Sequence, residues 1–251
     1  MEYHDIDDVI QAQGLRLILL RGFPSPWGQA AKAMMEFKHL SYRVGALVSR
    51  GENAAVVAWA GTNSAPVVAW NKEAPVNRWD DILLLLERLA PGAPLVPAEL
   101  TQKVQFYGLA HAMCAPGGFG WNRRLDMIHG SVTAGAEPGP FGTKYGYSPE
   151  DGARAGARSI EFMKLLAQQL KRQADSGSPF IVGDQVTAVD FYWAAFSNLV
   201  AIQPPEVCPL DASIRPMFEA VAPAVAEAVD PVLLAHRDHI MDTYFKVPME
   251  L

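Results

Sequence analysis

Cysteine is nearly absent: Cys114 and Cys208 are the only two in 251 residues. Two thiols so far apart make no disulfide framework, and nothing near either has zinc-ligand spacing. A reducing compartment fits that usage. Long apolar runs are missing as well. Leu15–Leu20 and Ile82–Leu86 are the most hydrophobic stretches, far short of the roughly twenty residues a membrane-spanning helix needs, so no bilayer crossing is expected. Basic residues are outnumbered, 21 Lys and Arg against 27 Asp and Glu, for a net charge of −6. No basic stripe offers itself to a phosphate backbone, and nucleic acid is not an expected partner. The opening segment, Met1 to Gly14, is acidic where a secretory signal would be basic and then apolar, which points to the cytoplasm. His236 and His239 stand one helical turn apart without a carboxylate or cysteine constellation, so no metal is expected. Gly117, Gly118 and Gly120 lack the lysine and hydroxyl residue of a phosphate loop and read as a helix break.

What is present describes an ordinary globular protein: 50% hydrophobic residues and 19% charged ones, enough for one or two domains with full cores. The first ninety residues alternate strand and helix signals. Strands are predicted near 16–22, 42–48 and 66–70, and helices near 26–39 and 78–89, with a short irregular helix over 52–60. Pro91, Gly92, Pro94 and Pro97 then mark a linker. The predicted division is an extension over 1–14, an α/β domain over 15–90, a linker over 91–97 and an all-helical domain over 98–251. The first long helix of that second half carries Leu100, Val104, Tyr107, His111 and Cys114 at helical spacing, a predicted buried face. Ser131 to Tyr147 is rich in glycine and proline and reads as a long loop, either covering a cleft or forming a mobile surface insertion. Ser148 and Pro149 start the next helix.

Two local signals stand out. Ser25, Pro26, Trp27 and Gly28 follow the Leu15–Leu20 strand and open a helix, with serine at the N-cap and proline at the first helical position. Such a helix end is positive and accepts anions, and it would favour a bound thiolate. Ser25 and Gly28 stand where dithiol folds place two cysteines, so sulfur chemistry here requires a bound thiol. The other signal is Gly183, Asp184, Thr187 and Asp190, where Thr187 and Asp190 form a capping box ahead of Phe191.

With Ala65 and Pro66 ahead of a strand, the Pro-rich linker and the capping signature, these features occur in the order found in the cytosolic glutathione transferase superfamily, which the chain resembles from about Leu15 to its last helix. The resemblance implies a thioredoxin-like α/β domain with a mixed sheet, followed by an all-α helical bundle. It also implies glutathione as co-substrate on the first domain, a small apolar electrophile on the second, and a homodimer. Ser25 would donate a hydrogen bond to the glutathione sulfur; Pro66 would be the family's cis-proline, leaving the Ala65 backbone to pair with the cysteinyl unit; Trp27 would border that site. Tyr107, His111, Trp121 and Arg124 would line the second-substrate pocket.

The chain departs from the family pattern between the fourth strand and third helix. There the family has an acid or glutamine followed by serine, which hold the γ-glutamyl end. With Ile82 on the buried face, Arg78 and Trp79 take those positions, give or take one residue. Arg78 is suited to grip a carboxylate and Trp79 to lie against an apolar ligand, or else Arg78 is solvated and Trp79 packed. The expected activity is conjugation of glutathione to a small apolar electrophile, or its removal. The alternatives are a non-catalytic binding or assembly module on the same fold, and an enzyme for a different thiol or carboxylate-bearing ligand.

Overall fold

A computed structural model describes residues 1–251. The chain divides into two compact units: Met1–Leu95 with Gln203–Ala212 and Met241–Leu251, and Val96–Ile202 with Ser213–Ile240. The division after Leu95 falls inside the stretch expected to be a linker. Two features lay outside the sequence reading. Residues 1–14, expected as an extension, fold with the first unit, as do two returning segments from the end of the chain.

The first unit contains α1 (Ile6–Gln11), β1 (Leu15–Leu20), α2 (Pro26–Phe37), β2 (Tyr42–Leu47), α3 (Ala54–Ala60), β3 (Val67–Trp70) and α4 (Trp79–Leu89). The sheet order is β2-β1-β3. β1 runs parallel to β2, from Leu15 opposite Tyr42 to Leu20 opposite Leu47. It runs antiparallel to β3, from Leu15 opposite Trp70 to Ile18 opposite Val67. The central strand LRLILL is buried over its first five residues, as a nearly unbroken apolar run requires when both faces are covered. A further strand is reduced to one antiparallel bridge, Val68 to Val76. This mixed α/β sheet is the thioredoxin-like arrangement expected from the resemblance.

Residues 1–14 pack because α1 is amphipathic. Asp5 caps it by accepting from the Asp7 amide at 2.9 Å, and Val9 is fully buried in a cluster with Ile18, Leu47, Val56 and Val67. Gly45 permits the approach: a Cβ there would lie 2.9 Å from both Ile18 Cδ1 and Ile6 Cδ1. The end of the chain is drawn in by charge. Lys32, on the buried helix α2, pairs with Glu36 at 3.0 Å and Glu250 at 2.9 Å, while the Met249 amide donates to Val207 O at 2.7 Å. The first half of the predicted linker is anchored too, since Lys38 Nζ donates to Ala93 O within it and to Ala90 O just before it, and pairs with Glu87 at 2.8 Å.

The second unit is helical: α5 (Leu100–Cys114), α6 (Phe119–Thr133), α7 (Gly139–Tyr145), α8 (Pro149–Asp175), α9 (Ala188–Phe196), α10 (Arg215–Glu219), α11 (Pro223–Glu227) and most of α12 (Pro231–Tyr244). α6 packs along α8. Ser148 caps α8 by accepting from the Asp151 amide at 3.1 Å. α9 is buried on every side, consistent with its composition of four aromatic and four alanine or valine residues without a lysine or arginine. No helix is long and apolar enough to cross a membrane.

Two local expectations fail here. α5 forms, but its buried side is Phe106, Leu109, Ala110, Met113 and Cys114, whereas Leu100 and Val104 are 72% and 66% exposed. This helix carries apolar residues around its whole circumference, so two stripes satisfy the same periodicity; the one holding Phe106 has the larger side chains to bury. The predicted 131–147 loop is mostly helix: α6 runs to Thr133, and α7 fills 139–145 before Gly146 ends it at φ 64°. Gly135, Gly139 and Gly146 mark helix ends, while Gly142 is buried inside α7.

Candidate functional site

One end of the sheet gathers the candidate residues of the first unit. β1 ends at Leu20, and Ser25 follows it as N-cap of α2. Because β3 is antiparallel to β1, the residues ahead of Val67 lie at that same end, and the Ala65–Pro66 peptide there is cis. The Val68–Val76 bridge turns the chain back in antiparallel register, which returns Arg78 to the level of Pro66. β2 is parallel to β1, so the loop leaving Leu47 emerges there as well. Ser25, Ala65, Pro66, Arg78 and Trp79 are therefore brought to one edge by topology.

Ser25 sits where a cap is expected but does not act as one. Its carbonyl accepts from the Gln29 amide at 2.8 Å, while its side chain makes no capping hydrogen bond, and the residue is partly exposed. A hydroxyl at a positive helix end, left out of the helix's own bonding, is positioned to donate to an anion. Gly28, one turn into α2, is needed for packing, since a Cβ would come within 3.0 Å of Leu19 Cδ2. Trp27 is half-buried on the same first turn.

Arg78 is the N-cap residue of α4 and is largely exposed. Its guanidinium donates to both Asp80 oxygens, at 3.2 and 2.9 Å, and Asp81 lies 3.6 Å away. That hydrogen bonding holds the Asp80 carboxyl below the usual carboxylate range, against the opposing effect of its partial burial. Arg78 thus faces its own helix terminus. Trp79 is half-buried as the first residue of α4.

The second-unit candidates separate. Trp121 Nε1 donates to Tyr145 O at 2.9 Å and its ring packs edge-on at 4.7 Å, which makes it a brace for α7. Arg124 is buried, 6.0 Å from the Phe141 ring and 5.9 Å from the Phe218 ring, with its Nε–H unpartnered. On α5, Tyr107 is half-buried against Phe106 at 5.1 Å and His111 is exposed. As for the histidine pair, His236 Nε2 bonds the buried Asp190 carboxylate at 2.9 Å, and the His239 ring lies 6.4 Å from that of Phe180.

No protein-family model and no curated protein sequence matches the chain. Solved structures do match. A glutathione S-transferase of Methylobacterium radiotolerans, in complex with glutathione sulfonate, aligns over 93% of this chain and 93% of its own with a TM-score of 0.64 and 16% identity. One from Methylobacillus flagellatus with glutathione bound covers 95% and 100%, with a TM-score of 0.66 and 12% identity. A glutathione transferase family member of Pseudomonas fluorescens, with two glutathione bound, covers 90% and 92%, with a TM-score of 0.57 and 14% identity. This is the glutathione transferase fold.

Within the glutathione transferase fold of this chain, sequence reasoning missed the loop that follows β2. Asn53 Nδ2 donates to Val48 O at 2.9 Å, Gly51 O at 3.0 Å and Asn63 Oδ1 at 2.8 Å, and Asn53 Oδ1 accepts from the Val48 amide at 2.9 Å. Asn63 Nδ2 donates to Gly51 O at 3.0 Å, which fastens the loop to the segment approaching Pro66. Arg50 is exposed on it at φ 61°. The available signal was Gly51 and Asn53 flanking the start of α3, residue types suited to left-handed backbone.

Proposed function

We propose that the protein binds glutathione at the sheet end described above and transfers it to, or removes it from, a small apolar electrophile. The observation that carries this reading is the Ser25 hydroxyl: it stands at the positive end of α2, takes no part in capping, and shares its edge with the cis Ala65–Pro66 peptide. In this reading Ser25 donates to the sulfur and lowers the thiol pKa, so that the thiolate is populated at neutral pH. Ala65 offers its backbone to the cysteinyl unit, and Trp27 borders the tripeptide. Arg124 and Tyr107, with His111 and Trp121 beside them in sequence, belong to the electrophile's side. The solved structures of the same fold that hold glutathione or glutathione sulfonate support the choice of thiol. A homodimer in the cytoplasm, acting in detoxification, completes the proposal; light scattering after size exclusion tests the dimer, and a monomer at micromolar concentration would remove it.

The test is calorimetric titration with reduced glutathione alongside turnover of an activated aryl halide, on the wild-type protein and Ser25→Ala. Retained glutathione affinity with turnover reduced at least tenfold is the expected result. Undiminished turnover in Ser25→Ala would remove the serine from the chemistry.

A second reading has its own observation. Arg78 is held by Asp80 and Asp81, so a γ-glutamyl carboxylate must compete with two carboxylates of the chain for it. This favours a binding module on the same fold with an altered glutathione site. Absence of heat at millimolar glutathione, from folded protein, would select it.

A further inference from the structure

The other end of the same sheet holds a feature that the thiol chemistry does not use. At the amino-terminal end of β1 lies a shallow depression of about 250 Å³, open to solvent and lined among others by Gln13, Arg16, Trp59, Asn71, Lys72 and Glu73. β1 separates it from the Ser25 end by its full length, roughly 17 Å for the five steps between its six residues at about 3.3 Å each. Arg16 is only 3% exposed, yet no carboxylate pairs with it. Two of its five N–H groups are used on main-chain carbonyls: Nη1 donates to Ile10 O at 2.6 Å and Nη2 to Asn71 O. Nε is buried without an acceptor, and the Trp59 ring lies 5.2 Å from the guanidinium carbon.

Bridging two carbonyls needs donors, not a charge; a glutamine or asparagine would serve without the cost of desolvating a cation. Burial does act on this group, pulling the Arg16 pKa down. The second cation on the wall, Lys72, is exposed, and the single carboxylate there, Glu73, already bonds Arg88.

We propose that this depression is a binding site for a small monocarboxylate with a flat body, its carboxylate on the Arg16 guanidinium and near Lys72, its body against the Trp59 indole. A carboxylate matches the guanidinium fork, whereas a point anion would not, and a single negative charge suits a wall on which Glu73 is also present. The site stands apart from the thiol reading and does not depend on it.

The test uses benzoate as probe, with benzamide as its neutral isostere and inorganic phosphate as the competing anion class, titrated calorimetrically into the whole protein. The expected result is saturable benzoate binding, at least about tenfold weaker for benzamide, the loss appropriate to one charge-assisted hydrogen bond. Arg16→Lys keeps the charge and removes the fork, and should weaken benzoate by about tenfold or more. Because that variant disturbs two main-chain contacts, the exposed Lys72→Ala and the half-buried Trp59→Leu carry the argument independently; each should weaken benzoate several-fold. Ser25→Ala should leave it unchanged. Equal affinity for benzamide, tighter binding of phosphate, or benzoate binding indifferent to both Lys72→Ala and Trp59→Leu would overturn the assignment.

Discussion

Replacing Asp190 should destabilise the helical unit more than any other single polar substitution within it. The carboxylate is fully buried and accepts four hydrogen bonds: from the Ile181 amide at 2.8 Å, the Thr187 amide at 2.8 Å, Thr187 Oγ1 at 2.8 Å and His236 Nε2 at 2.9 Å. It therefore closes the capping box of α9, ties down the segment before it and holds α12. In Asp190→Ala the Thr187 hydroxyl can rotate to another acceptor, but two buried amides and an imidazole N–H are left without one. Three donors so stranded, each at a value near the low end of about 1–3 kcal/mol, give a loss of about 4 kcal/mol before any cavity effect. That compares with a total stability of roughly 5–15 kcal/mol and corresponds to a fall in Tm of roughly 8–16 °C for a unit of this size. Asp190→Asn retains shape and one oxygen and should cost about half as much; Thr187→Val removes a single donor and should cost about 1 kcal/mol. Urea unfolding followed by circular dichroism measures the series. An Asp190→Ala protein within about 1 kcal/mol of wild type, or a Thr187→Val protein less stable than Asp190→Ala, would refute the view that this carboxylate organises the unit.

Ser25→Ala should change stability by less than about 0.5 kcal/mol in the same assay, because the hydroxyl makes no cap bond; a loss near the roughly 1 kcal/mol typical of an N-cap would mean that it does. Gly118→Ala should cost at least about 2 kcal/mol, since its Cβ would stand 2.6 Å from Ala112 O, a backbone atom that cannot yield, and wild-type stability would refute that packing. Burial alone would raise the Glu250 pKa, but its bonds to Lys32 and to the Met1 ammonium at 2.9 Å prevail and hold it at about 2, below the ordinary value of 4.5. The folded state thus binds the proton less readily than the unfolded chain, so this contribution is present above about pH 4.5 and is lost as pH falls toward 2. Glu250→Gln should flatten that part of the acid-stability curve, and an unchanged curve would show that Glu250 is not held by Lys32 and the Met1 ammonium.

Local chemistry made much of this chain legible. The Leu15–Leu20 run read as a strand, Ser25 and Pro26 as a helix start, and Thr187 with Asp190 as a cap, and the structure builds all three. These are short-range consequences of side-chain size, a missing N–H or a reachable carboxylate, and they need no knowledge of the rest of the chain. The buried face of α5 was not legible, because its apolar residues surround the helix and only the neighbouring helices choose between the stripes. The glycines of 131–147 gave no warning that three of them, Gly135, Gly139 and Gly146, lie at helix ends.

Ionic and topological relations over long separations lay furthest from view. Nothing in the spacing of Lys32 and Glu250 says that they pair, and nothing in Arg78 says that it will be taken by the aspartates two and three residues on rather than turned outward. The sequence alone determined a sulfur-free helix start with a serine at its cap and a proline awaiting it before a later strand. Only the tertiary structure decided that antiparallel pairing brings the two to one edge of the sheet, that the serine's hydroxyl is spared from capping, and that an arginine without a carboxylate is buried at the opposite edge. Each of these depends on which distant backbone lies alongside, a choice made by the total burial of the folded chain and not by any residue's neighbours in sequence.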